Sequence, residues 1–176
     1  MIFKDRADKV PILHTERLIL RLPRLPDFEH IARFYESDRS RWEDGPMSRE
    51  QAWRIWSSDV ASWLLKGFGP FGVDEKSSGR FLGEVGIYQP EGYPEPELGW
   101  FVVPEAEGRG IAFEAAKAVM KWAKTELGWN RLVNYIDPSN EKSISLALRL
   151  NGKRVDIIGS SLTDVVITHD LSVDNF

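Results

Sequence analysis

One stretch constrains this chain more than any other. Residues 97–115, ELGWFVVPEAEGRGIAFEA, carry an apolar run that ends at Pro104, then a short acidic turn, then Gly108-Arg109-Gly110 leading directly into an amphipathic segment. By pattern this is a strand, a glycine-rich turn and a helix. The first-turn amides of a helix have no internal partner, and the helix dipole adds partial positive charge there. Glycines remove side chains that would hold an anion away from those amides. The arrangement suits a pyrophosphate, with Arg109 able to add charge. Gly-x-Gly alone is a short signal, since helix starts also carry glycine for purely conformational reasons. Two phosphate motifs can be tested against it. A mononucleotide P-loop needs Gly-Lys-Ser/Thr after its second glycine, where this chain has Ile111-Ala112. A dinucleotide fingerprint needs glycine or alanine at Phe113 and an acidic residue ending the next strand of a parallel unit. Phe113 fails the first condition and Asp137 meets the second, so a nucleotide-binding oxidoreductase is weakened but stays open.

The rest of the pattern sets the fold class. Leu18-Ile19-Leu20-Arg21-Leu22 reads as a first strand, after a polar, charge-mixed flexible arm over residues 1–12. Asp27 can cap a short helix whose apolar side holds Phe28, Ile31, Ala32, Phe34 and Tyr35. Ser48 and Gln51 have capping-box spacing and open a second helix carrying Trp53, Trp56, Val60, Trp63 and Leu64. Residues 67–70 end it. Residues 71–73 and 81–88 read as a hairpin around the polar turn 75–79. A Pro/Glu/Gly loop over 89–96 then leads to a strand at 98–103. In a long helix over 110–127, Ala112, Ala116, Val119, Ala123 and Leu127 share one face and Lys117, Lys121 and Lys124 another. Gly128 stops it. A strand at 131–136, a helix capped by Ser139 or Asn140 and running through Leu150, and a last strand at 165–170 complete the pass, with room for a short strand at 155–158. The order β-α-α-β-β-β-α-β-α-β predicts an α/β fold, a mixed sheet flanked by helices, in a single domain over residues 1–176.

Composition narrows the chemistry. A chain of 176 residues buries roughly 70% of the surface it would expose unfolded and needs no staple. It contains no cysteine, which excludes a thiol nucleophile, an iron–sulfur cluster and cysteine-ligated zinc. His14, His30 and His169 lack metal-ligand spacing, so no metal is expected. The charged start and the interrupted apolar stretch at 61–73 predict a cytoplasmic protein with no membrane partner, since nothing approaches the ~20 apolar residues of a span. With 23 basic against 27 acidic side chains, a net charge of −4 and no basic block, no nucleic-acid partner is expected. An acidic balance suits an amine-bearing substrate instead.

Four ordered motifs now carry a resemblance. Thr15-Glu16-Arg17-Leu18-Ile19-Leu20-Arg21 comes first, then Leu82-Gly83-Glu84-Val85-Gly86. Next is Glu97-Leu98-Gly99-Trp100 with Pro104-x-x-x-Gly108-Arg109-Gly110-Ile111-Ala112-x-Glu114-Ala115, and last Asn140-x-x-Ser143. Together, over about residues 13–170, they resemble the GCN5-related N-acetyltransferase (GNAT) superfamily, most of all its branch named for ribosomal-protein N-terminal acetyltransferases. The resemblance implies a mostly antiparallel sheet split at the cofactor site and acetyl-CoA as acyl donor. It implies that backbone groups of Phe101, Val102 and Val103 hold the pantetheine arm and that amides from Gly108, Arg109, Gly110, Ile111 and Ala112 hold the pyrophosphate. Asn140 and Ser143 would line the other side, although Asn140 also reads as a helix N-cap and Ser143 as a first-turn residue. Three departures stand out. Glu105 puts a carboxylate near the expected phosphates. Ala147 stands where many members carry a tyrosine as general acid for the departing thiolate. Asn151-Gly152 replaces Gly-Phe.

With no cysteine and no Ser–His–Asp arrangement, an amine is expected to attack the acetyl thioester directly. Glu84 and Glu97 are the candidate bases, each on or beside a strand at the cleft, with an exposed strand carboxylate as the alternative reading of both. A backbone amide near 101–103 would polarise the carbonyl. Residues 39–63, with Trp42, Trp53, Trp56 and Trp63, would wall the acceptor side, although tryptophans at helical spacing usually pack in a core. A protein N-terminus, an amino sugar and a polyamine suit such a cleft equally. Exposed tryptophans could also serve a homodimer contact. A non-catalytic acyl-CoA-binding module is the rival class.

Overall fold

The computed structural model describes residues 10–155 and 164–173. Within them, eight strands form one sheet: β1 (Leu13–His14), β2 (Leu18–Arg21), β3 (Pro70–Glu75), β4 (Phe81–Tyr88), β5 (Glu97–Val102), β6 (Arg131–Ile136), β7 (Lys153–Val155) and β8 (Val165–Asp170). Their spatial order is β1-β2-β3-β4-β5-β6-β8-β7. Neighbours are antiparallel except β5 and β6, which run parallel. A parallel pair needs a crossover, and the long helix α3 (Ile111–Leu127) supplies it. The other helices are α1 (Phe28–Tyr35), α2 (Arg49–Leu65) and α4 (Glu141–Arg149).

The strands alternate between two cores. On one face α3 covers Leu18, Leu20, Phe71, Val73, Val85, Ile87 and Leu98 through Ile111, Ala115, Ala116, Val119, Met120 and Ala123. Fully burying one such aliphatic or aromatic side chain contributes about 1.5–3 kcal/mol. On the same face α4 packs Ile144 and Ala147 against Ile136 and Ile167. On the opposite face α1 and α2 meet through Phe28, Ile31, Ala32, Ala52 and Trp56. Among the described residues no helix is long and apolar enough to cross a membrane.

Most expected elements are present, and the differences have local causes. The Ser48–Gln51 capping box forms reciprocally at the start of α2. Asp27 does not cap α1 with its side chain. Its carboxylate accepts from Arg24 N–H at 2.7 Å and from the Arg21 guanidinium at 2.6 and 3.0 Å. Arg21 is buried and also pairs with Asp74 at 2.6 and 2.7 Å, so two carboxylates neutralise one buried cation. The buried stripe of α3 runs through Ile111, Ala115, Ala116, Val119, Met120, Trp122 and Ala123, leaving Ala112 and Leu127 half-buried at its margins. β1 begins directly after the expected arm, and Val10 already packs on the core. Residues 1–9 lie outside the described residues. A short strand at Lys153–Val155 overlaps the one expected at 155–158 at Val155, and residues 156–158 lie outside the described residues.

Candidate active site

The parallel strands β5 and β6 are bridged at a single position, Glu97 opposite Val133. There Val133 N–H donates to the Pro96 carbonyl at 3.4 Å. Beyond that bridge the strands part, and α3 and α4 both begin at the open end. Backbone groups alternate along a strand. Val103 N–H donates back to the Leu82 carbonyl on β4 at 2.9 Å, so Phe101 and Val103 turn their backbone toward β4, and Leu98, Trp100 and Val102 turn theirs toward the split. Of the three residues expected to present backbone groups there, Val102 does so. The ring of Phe101 packs instead on Phe34 at 4.6 Å between centroids.

The glycine turn stands at the open end. Gly110 is the N-cap of α3 with φ 75°, and its missing side chain leaves the helix start without a side-chain cap. Gly108 has φ 71°, and a Cβ added there would meet nothing within 4 Å. Left-handed backbone, rather than lack of space, therefore requires glycine at this turn. Ile111 buries its side chain in the core and Ala112 is half-buried, so the turn offers its amides. Glu114 holds the turn from below, accepting from Thr15 Oγ1 at 2.5 Å, Arg17 N–H at 2.9 Å and Arg17 Nε at 2.6 Å. That explains physically why the Thr15-Glu16-Arg17 motif accompanies the glycine loop.

Charge at this mouth is paired. Arg109 donates to Glu75 at 2.5 Å, and hydrogen bonds from Ser78, Arg109 and Arg80 hold the Glu75 carboxyl down to about 2. Glu105 is exposed on the 3₁₀ turn 104–106. The carboxylate reaching across the mouth is Glu107, which bonds Arg39 and, at 3.2 Å, Lys142 of α4. Arg39 also donates to the Val102 carbonyl at 2.9 Å.

On the far side, Asn140 is the N-cap of α4, its Oδ1 accepting from Ser143 N–H at 3.2 Å. Ser143 Oγ accepts from Trp100 Nε1 at 3.3 Å, tying α4 to β5 beside the opening. Ser139 accepts instead from Trp42 Nε1 at 2.9 Å. Asp137 turns its carboxylate onto Ser139 N–H at 2.7 Å, an Asx turn rather than a ribose-binding position. Ala147 is fully buried among Ile136, Ile144 and Ile167. At the loop after α4, Asn151 takes the left-handed φ of 61° that glycine would supply.

Glu84 and Glu97 share the sheet face that α1 and α2 cover. The register pairs Glu84 with Phe101 and Tyr88 with Glu97. Glu84 is buried, accepting from Trp56 Nε1 at 2.9 Å and Tyr88 OH at 3.2 Å, and burial pushes its carboxyl up to about 8. Asp59 on α2 is raised to about 7 by burial. Glu97 accepts from Tyr135 N–H at 2.9 Å. Burial pushes it up to about 8 against that hydrogen bond, with Glu43 and Asp164 adding to the rise. The roles of Tyr88 and Arg39 went unread in the sequence, and Trp56 was read only as part of the acceptor-side wall. For Tyr88 a signal existed, because alternation along β4 puts it on the face of Glu84. Of the tryptophans, Trp56 and Trp63 are buried and Trp53 is exposed.

Glu84 also sets a stability test. Its ordinary value is 4.5 and its folded value about 8. Folding therefore takes up a proton between those values, so the stability linked to Glu84 is full below 4.5 and is lost as pH rises through about 8. Glu84→Gln imitates the neutral carboxyl. Its melting temperature should match the wild type near pH 5 and exceed it at alkaline pH by about 2–4 °C or more, as read by circular dichroism.

Comparison with known proteins bears on the family and the fold. The family profile described as an acetyltransferase (GNAT) domain matches residues 17–153. An acetyltransferase from Agrobacterium tumefaciens is 36% identical in sequence and superposes with a TM-score of 0.86, covering 92% of this chain and 95% of that one. The uncharacterized N-acetyltransferase YoaA of Bacillus subtilis is 26% identical over 152 residues, 84% of this chain and 86% of its own length. A ribosomal-protein-S5-alanine acetyltransferase from Vibrio fischeri is 18% identical with a TM-score of 0.67, over 91% of this chain and 96% of that one, a likeness of fold.

Proposed function

The chain belongs to the GNAT acetyltransferase family, and on that premise we propose that it carries the acetyl group of acetyl-CoA to a primary amine, with Glu97 as general base. The carrying observation is the position of Glu97. It stands at the closed end of the β5/β6 split, opposite the uncapped start of α3 at the open end.

The residues at the split suit such a donor. Amides from Gly108 to Ala112, with Arg109, offer a cradle for a diphosphate. Trp100 and Val102 turn backbone groups toward the opening, where amide groups of a pantetheine arm find partners. Asn140, whose Oδ1 is committed to the cap, keeps its Nδ2 for the far side, and Ser143 lies beside it. The carboxylates on Arg39, Arg109 and Lys142 hold sites that a diphosphate can take over. Acetyl-CoA, when bound, supplies the acetyl group activated as a thioester.

The protein's part is positioning and proton transfer. Holding two reactants in register supplies much of the acceleration. The cationic amine first gives one proton to the free oxygen of Glu97, directly or through water. Its nitrogen then bonds the acetyl carbon as the thioester C–S bond breaks, and its second proton leaves with coenzyme A as the thiol. The Val102 amide, turned into the split, can polarise the carbonyl. Glu43 and Asp164 beside Glu97 favour an amine that arrives as a cation, on a small molecule or a peptide N-terminus.

A thermal-shift screen with acetyl-CoA, CoA, NAD and ATP tests the donor. A ligand that binds only the folded state adds about 2.7 kcal/mol at a hundred times its Kd. Acetyl-CoA and CoA should raise the melting temperature while NAD and ATP leave it unmoved. Thiol release that depends on added amine then tests turnover. Stabilisation by NAD with none by CoA would overturn the reading.

A further inference from the structure

We propose that Asn134, oriented by His169, is the positioning residue that opens the β5/β6 split, by taking the place of the ladder rung at which the two strands part. The proposal rests on the reading of that split as the acyl-donor channel.

A parallel ladder repeats every two residues. With Val133 N–H bonded to the Pro96 carbonyl, the next rung would run from Tyr135 N–H to the Leu98 carbonyl. Neither group takes the other. Tyr135 N–H donates to Glu97 Oε1 at 2.9 Å, and the Leu98 carbonyl accepts from Asn134 Nδ2. One side chain from each strand replaces the missing rung, Glu97 on the α1/α2 face and Asn134 on the α3/α4 face. Both backbone groups stay satisfied while the strands separate, as buried polar groups must. With a small apolar residue at position 134, the Leu98 carbonyl would have to recover a backbone donor. The direct one is Tyr135 N–H, and taking it would zip the strands together one step further.

The orientation of Asn134 follows from chemistry alone. Leu98 O can only accept, so the amide atom facing it is the NH₂ group, and Oδ1 must face the other way. There it meets His169 Nε2 at 2.5 Å. Since Oδ1 can only accept, Nε2 carries the proton and the ring is the neutral Nε2–H tautomer. Burial pushes the His169 imidazole down, against a smaller raising contribution from the Leu150 backbone, so the buried ring is held neutral. Asn134 is 2% exposed and His169 1%, so water cannot substitute for either. The ring has its place because position 152 is glycine: a Cβ there would lie 2.8 Å from His169 Cε1 and 2.4 Å from Ile167 Cγ2.

Four variants test this by calorimetric titration with CoA, with kcat and KM for acetyl-CoA measured alongside. Asn134→Asp keeps the size and removes the donor to Leu98, and Asn134→Ala removes both partners. His169→Leu removes the orienting donor, and His169→Gln keeps one. Asn134→Asp, Asn134→Ala and His169→Leu should weaken CoA binding about tenfold or more in protein that remains folded. The KM for acetyl-CoA should rise further than kcat falls, and His169→Gln should recover most of the affinity. Nitrogen shifts of His169 in the wild type should report the neutral Nε2–H tautomer. If an Asn134 variant fails to fold, the His169 pair decides. Wild type that binds CoA while Asn134→Asp and His169→Leu bind it equally well overturns the positioning role alone. Wild type that binds no CoA overturns the channel reading, and the positioning role falls with it.

Discussion

Glu97→Gln is expected to lower kcat by about 10²–10⁴-fold with little change in CoA affinity. The substitution is selective because an amide keeps the oxygen that accepts from Tyr135 N–H, at 2.9 Å in the wild type. The fork of the split survives and only the proton acceptor is lost. Burial, aided by Glu43 and Asp164, puts the wild-type carboxyl at about 8. A base must be ionised to work, so kcat/KM should rise with pH through a limb near 8 and level off above it. An amine acceptor adds its own rising limb, which belongs to the substrate and persists in the variant. The limb that disappears in Glu97→Gln belongs to the enzyme. Glu43→Gln removes one neighbouring charge and should move that limb to lower pH. Glu84→Gln is the control. Glu84 has both oxygens engaged by Trp56 and Tyr88, and its variant should keep most of its turnover. A collapse in Glu84→Gln with none in Glu97→Gln would move the base one strand over.

What the sequence disclosed and what it withheld divide along a physical line. Local, periodic signals were readable: the capping box at Ser48, the alternation of β4, and the turn-to-helix transition at Gly110. Each is settled by residues within one or two turns of each other. Pairings between distant segments were not. Asp27 has the composition of a cap, yet a buried Arg21 that also needs Asp74 draws its carboxylate away. The side of β5 that faces the split depends on register with β4, and the Val103–Leu82 bond moves the exposed backbone to Trp100 and Val102. Asn134 reads as an unremarkable polar residue in a strand until His169, 35 residues later, is brought beside it. Asn151-Gly152 looked like a departure in loop shape. Its meaning is steric, because the glycine makes room for the His169 ring.

The same distinction between local and distant contact predicts the most damaging single methyl group. Gly83→Ala is expected to cost about 3–5 kcal/mol, in the range reserved for core or backbone disruption. Gly83 has φ +154°, and a Cβ there would lie 2.2 Å from the Phe101 carbonyl oxygen and 2.8 Å from Val102 Cα. These are backbone atoms of a strand fixed from both sides, by the Val103–Leu82 bond toward β4 and by Asn134 on the Leu98 carbonyl toward β6. Neither side can yield without opening the ladder or the split. Gly99→Ala makes the instructive contrast. Its Cβ would meet Tyr88 ring carbons at 2.8 Å, and a side chain can turn where backbone cannot, so overpacking there should cost about 1–3 kcal/mol. Turning Tyr88 breaks its bond to Glu84, so Gly99→Ala should alter the pH dependence of stability set by that carboxyl. Urea titration separates the two: both midpoints should fall with the slope unchanged, Gly83→Ala much the further. Equal midpoints would mean that β4 and β5 do not approach each other this closely in solution, and the placement of Glu84 opposite Phe101 would have to be redrawn.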